Sequence, residues 1–190
     1  VMERYFTNTR HVETTDRVCE AIMTSVITEA PKAMENLQDY EARANIMWAG
    51  MIAHNNIAGV GREQDWATHD MEHELSAFYD CAHGAGLAVL SPAWMKYVYK
   101  QDVMRFVQFA VRVWGCSMDF ADPERPALEG IARWEHFLQS IGMPLSFADL
   151  GAREEDIPKM VEHLSKRGGI GRFVRILDKE AEDIFRLAVK

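Results

Sequence analysis

Residues 65–84, DWATHDMEHELSAFYDCAHG, hold three histidines and five acidic residues in twenty positions. His69 and His73 stand four residues apart, and His83 follows ten later. Side chains four apart on a helix share a face, with Cβ atoms about 5–6 Å from each other. Two imidazoles so placed can reach one metal ion, or one can bind a metal while the other faces a substrate. His69, Glu72 and His73 also have the H-x-x-E-H order of a metalloprotease helix with the usual motif reversed. In that chemistry Glu72 is the general base and a distant glutamate, such as Glu124, Glu129 or Glu135, completes the metal shell.

His83 sets a condition on the elements that carry these residues. A straight helix from His69 to His83 would rise about 21 Å at 1.5 Å per residue. Two nitrogens each about 2.1 Å from one metal cannot stand that far apart. Joint participation therefore predicts a chain reversal near residues 80–84, where YDCAHGAG supplies Asp80, Gly84 and Gly86. Small residues after a ligand let a cofactor or another backbone come close. Of the other histidines, His11, His136 and His163 read as solvated or cap-bonded side chains, and His54 could line a pocket.

The elements around this stretch are helical. No sustained period-two alternation or Asn-Gly hairpin occurs, whereas helical periodicity runs throughout. Thr14, Thr15 or Asp16 could cap a helix to about Leu37 with Val18, Ile22, Val26 and Ala30 in one stripe, and Pro31 would kink or split it. A second helix starts after Asp39, the histidine helix spans about 65–79, and a nearly all-apolar helix spans about 84–99 around Pro92. Helices follow over about 103–114, 127–141, 153–167 and 177–189, with Gly115, Gly168 and Gly169 as stops. The expectation is one all-α domain over residues 1–190 with about eight helices.

Composition bounds the function. The 190 residues carry 48% hydrophobic and 26% charged residues, enough for a packed core and against disorder. A net charge of −8 without a basic run argues against a nucleic-acid or membrane-surface role. The longest apolar stretch, around residues 84–94, falls short of the roughly 20 residues of a bilayer span. Cys19, Cys81 and Cys116, odd in number and without C-x-x-C spacing, fit free thiols in a reducing cytoplasm. The opening VMERYFTN reads as the second half of a helix, a chain that starts mid-element.

The stretches YEARANIMWAG, QDWATHDMEHELSAFYDCAHGAGLAVLSPAWMKYV, IGMPLSFADLGA and LDKEAEDIFRLA resemble the C-terminal helical domain of the iron-containing (group III) alcohol dehydrogenases, in their butanol-dehydrogenase-like branch. The resemblance covers essentially the whole chain and implies the dehydroquinate-synthase-like fold of that family. It implies a two-domain enzyme with an N-terminal α/β domain for NAD(P)H and an active site in the cleft between the domains. The family's divalent metal has four protein ligands, two from a D-x-x-x-H helix and two from the first and last histidines of H-x-x-x-H-x(9)-H. Carried onto this chain, the resemblance implies His69 and His83 as metal ligands, and His73 as the residue near nicotinamide and substrate.

The D-x-x-x-H element would immediately precede Val1, so the expectation is a C-terminal fragment carrying half of a metal shell and lacking the dinucleotide-binding domain. The metal, Fe2+ or alternatively Zn2+, would act as Lewis acid on the carbonyl or alkoxide oxygen, and NAD(P)H would exchange the hydride. His73 would relay a proton or position a small alcohol or aldehyde, with Trp66, Phe78 and Cys81 near enough in sequence to line the pocket. A homodimer is a further expectation. Under this reading the H-x-x-E-H order is incidental. The competing readings are an H-x-x-E-H metalloprotease and a non-catalytic helical interaction domain.

Overall fold

Helical periodicity without strand signals produces an all-helical chain. The computed structural model describes residues 1–190 and contains ten α-helices and three short 3-10 turns. One isolated bridge, Ile170 with Ile176, is the whole of the β-structure. The two helices beyond the eight expected are four-residue pieces, α1 (Met2–Tyr5) and α8 (Phe147–Leu150). No helix is long and apolar enough to cross a membrane. The chain divides into two compact units, residues 1–64 with 103–133 and residues 65–102 with 134–190.

In the first unit, α2 (Glu13–Glu35) packs along α3 (Tyr40–His54) and against α6 (Val103–Trp114). Helix α3 starts directly after Asp39 as expected, and the Asp39 side chain caps it by accepting from the Ala42 amide at 3.0 Å. The start of α2 departs from expectation, since its N-cap is Val12 without a side-chain bond. Asp16 turns inward instead, where Arg62 at 2.8 Å and Arg105 at 2.6 Å meet its carboxylate. Two buried guanidiniums compete for that oxygen better than exposed helix amides do. The buried face of α2 is accordingly Asp16, Cys19, Glu20, Ile22 and Met23, and of the expected stripe only Ile22 is fully buried while Val18, Val26 and Ala30 are half-buried. Helix α2 also runs through Pro31 without splitting. An aromatic cluster anchors α1 to α6: Phe6 stacks on Phe106 at 4.4 Å, and Phe109 meets Phe6 edge-on at 5.4 Å.

In the second unit, α4 (Ala67–Tyr79) packs on α5 (His83–Val98) and on α9 (Ile157–Ser165), and α10 (Asp178–Leu187) packs on α9 and α5. Helix α5 is the buried element the composition implied, with Val89, Leu90, Trp94, Met95 and Val98 almost inaccessible and Pro92 inside it. A buried apolar side chain contributes about 1.5–3 kcal/mol, so this helix is the hub of the unit. Ser146 and Asp149 form a capping box on α8. The remaining helix, α7 (Glu124–Ser140), spans the boundary between the units in sequence.

Candidate metal centre

The histidine helix is fixed at both ends. At its start the buried Asp65 accepts from the amides of Ala67 at 3.2 Å, Arg172 at 2.5 Å and Phe173 at 2.7 Å. Trp66 follows in the left-handed region at φ 71°, uncommon for a bulky residue. It puts the indole edge-on to the His69 ring at 4.9 Å. At the far end the Tyr79 hydroxyl donates to Asp156 at 2.7 Å and accepts from the Arg153 amide at 3.1 Å. Burial and the Asp156 bond raise the Tyr79 hydroxyl above its ordinary range. The same bond, with Arg153, holds Asp156 below the usual aspartate value against the opposing effect of burial.

The reversal lies where the spacing required it. Asp80 ends α4 in the left-handed conformation at φ 49°, Cys81 and Ala82 carry the chain round, and His83 is already the first residue of α5. The turn brings the three imidazoles together. His83 and His69 have ring centroids 5.2 Å apart at 58°, and His83 and His73 are 5.7 Å apart at 28°. Met71 and Leu75 point into the core on the opposite side of α4, whereas His73 and His83 are exposed and His69 half-buried.

Glu72 is the residue the sequence undervalued. Its side chain is fully buried, Oε2 is hydrogen-bonded to Nδ1 of His83, and Oε1 accepts from the Ser76 hydroxyl. Gly86 lies against it, so closely that a Cβ there would stand 2.6 Å from Oε1. Glu72, His73 and His83 each offer one ligand atom within 4.8 Å of the others. Both oxygens of Glu72 are thus hydrogen-bonded to neighbouring side chains. The signal present in the sequence was the i to i+4 pair of Glu72 and Ser76 together with a glycine in the first turn of the next helix.

The other expected pocket residues scatter. Cys81 is half-buried, with Sγ 3.9 Å from the Ser76 hydroxyl. Phe78 packs on His163 at 5.5 Å, and His163 in turn meets Glu74 at 3.2 Å. His54 is exposed at the end of α3, and His11 and His136 are exposed.

Residues 1–189 match the family model for the C-terminal part of the Fe-containing alcohol dehydrogenases. The chain belongs to the iron-containing alcohol dehydrogenase family, as its C-terminal domain. Among members of that family, NADH-dependent butanol dehydrogenase B of Clostridium acetobutylicum is 37% identical over 194 residues, covering all of this chain and 49% of that protein. NADPH-dependent aldehyde reductase YqhD of Escherichia coli is 35% identical over 170 residues, covering 88% of this chain and 43% of that protein. The crystal structure of NADH-dependent butanol dehydrogenase A from Thermotoga maritima superposes with a TM-score of 0.92 at 37% identity, over all of this chain and 49% of that one. The chain thus spans about half the length of the iron-containing alcohol dehydrogenases it matches. The all-α expectation and the butanol-dehydrogenase resemblance are both borne out.

Proposed function

We propose that this chain is the metal-binding half of an NAD(P)H-dependent alcohol dehydrogenase that interconverts small aldehydes and primary alcohols. The observation that carries the reading is the convergence of His69 and His83 across the Asp80 reversal. An imidazole centre lies about 3.2 Å from a metal bound at 2.1 Å, so two imidazoles at a tetrahedral angle stand about 5.2 Å apart, centre to centre. The His69–His83 separation of 5.2 Å supports shared ligation. Imidazole ligands suit both iron and zinc, and Fe2+ is the ion favoured by the family name.

When bound, the divalent metal supplies Lewis acidity at the substrate oxygen, and the nicotinamide supplies or accepts the hydride. His69 and His83 hold the metal. His73, one helical turn on from His69 and 5.7 Å from His83, faces the substrate side and exchanges a proton with the alcohol oxygen at an imidazole nitrogen. Trp66, edge-on to His69, packs against that ring. The upstream half, by analogy with the longer relatives, supplies the nucleotide fold and the remaining ligands.

The test is oxidation of NADH or NADPH with butyraldehyde, using the chain alone and the chain joined to a dinucleotide-binding half upstream. Turnover is expected only in the joined protein loaded with metal, and is lost in His69→Ala. Turnover surviving in His69→Ala overturns the ligand assignment.

A further inference from the structure

We infer that Glu72 is a positioning residue: it fixes His83 as the tautomer protonated on Nδ1, so that Nε2 carries the lone pair a metal takes up. The inference rests on the ligand role proposed for His83 and adds what selects the nitrogen that does the binding. Four observations carry it. The Glu72 side chain is fully buried although the His83 ring is exposed, so the contact is reached from inside the fold. A carboxylate oxygen only accepts, hence Nδ1 of His83 must donate to Oε2. The other oxygen is held by Ser76, which fixes the carboxylate plane. Gly86 leaves no room for a methyl group beside Oε1, so the first turn of α5 is shaped around the carboxylate.

The first turn of α5 also favours the charge. The positive end of the helix dipole lies there, and Glu72 lies against it at Gly86. A glutamate in such a place does two things at once. It orients the imidazole about its own axis, and it holds the ring proton on Nδ1. Neither effect needs Glu72 to touch metal, substrate or nicotinamide. His73 has no comparable partner in the structure, which separates a held ring from one able to carry a proton.

The test uses the folded protein with Zn2+ as probe, and His83 tautomers read by long-range 15N–1H spectra of the metal-free protein. Three variants are compared. Glu72→Leu removes the acceptor at similar volume and leaves Ser76 its alternative bond to the Cys81 carbonyl at 3.3 Å. Gly86→Ala keeps every polar group but drives a methyl into the carboxylate. Glu72→Gln keeps a carbonyl able to accept from Nδ1 and serves as the conservative rescue. In the wild type His83 is expected mainly in the Nδ1–H form. Glu72→Leu and Gly86→Ala lose that preference and bind Zn2+ about 10- to 100-fold more weakly, while Glu72→Gln falls between them and wild type. The inference is overturned if folded Glu72→Leu and Gly86→Ala keep the Nδ1–H form and bind Zn2+ within about threefold of wild type. A wild type that binds no Zn2+ or Fe2+ overturns the ligand role of His83, while the spectra of metal-free protein still decide the role of Glu72.

Discussion

The Nδ1 of His83 is hydrogen-bonded to Oε2 of Glu72, a residue on the preceding helix and beyond the reversal at Asp80. This bond joins the two helices that carry the histidines, so the helix pair and the site are one mechanical object. Loss of the reversal, of the glutamate or of the close approach at Gly86 disturbs the same imidazole.

The reversal itself can be probed at Asp80, which holds φ at 49°. Asp80→Gly admits this conformation without a Cβ penalty and is expected to be neutral or mildly stabilising. Asp80→Val puts a β-branched side chain there and is expected to cost about 1–2 kcal/mol. Urea unfolding of both variants checks the pair; equal midpoints would contradict the strain assigned to residue 80.

Asp16 anchors the other unit. Burial pushes its carboxyl up, but bonds from Arg105, Gln108 and Arg62 outweigh burial and hold it below its ordinary value of 3.8. Asp16→Ala leaves two buried guanidiniums without their shared partner and should cost about 3–5 kcal/mol. The pH dependence follows from the sign of the shift. A carboxyl depressed in the folded state contributes its stabilisation above the unfolded value, and that contribution disappears as pH falls through the folded value. Stability of the wild type should therefore drop below about pH 4, and Asp16→Ala should flatten that acid limb. Denaturant midpoints at several pH values measure it.

Helices α6 and α7 meet closely at Gly130, where an added Cβ would lie 2.7 Å from the Ala110 Cβ and 3.0 Å from its Cα. Gly130→Ala should thus destabilise by about 1–3 kcal/mol, because the overpacking exceeds the gain of about 1 kcal/mol in helix propensity. A rise in melting temperature would contradict the close crossing.

The cysteines should label in order of access. Cys116 is buried and its thiol is pushed up to about 11 by burial and by its bond to Glu129, so little thiolate forms near neutrality. Cys19 is buried, with its thiol also raised by burial. Half-exposed Cys81 should take iodoacetamide first, and the other two only on unfolding. Peptide mass mapping over time reads the order.

Much of this was legible in the residues, for physical reasons. Helix periodicity marks elements because burial selects one face, and the distance limit on shared ligands places the reversal at residues 80–84 from the sequence alone. The helix start after Asp39 was readable because its cap is local, to Ala42 three residues on. Asp16 was not, because its partners Arg62 and Arg105 are distant in sequence and nothing near residue 16 announces them. Nor was the place of Glu72, for the same reason: its partner His83 lies on another helix.

The central claim is that His69 and His83 hold a divalent metal and that His73 stands beside it without holding it. Calorimetric titration of Zn2+ and Fe2+ into the wild type and the three single alanine variants tests it most directly. His69→Ala and His83→Ala are expected to lose about 100-fold or more in affinity, with His73→Ala within a few fold of wild type. A loss in His73→Ala as large as that in His83→Ala, or unchanged affinity in His69→Ala, would contradict the account.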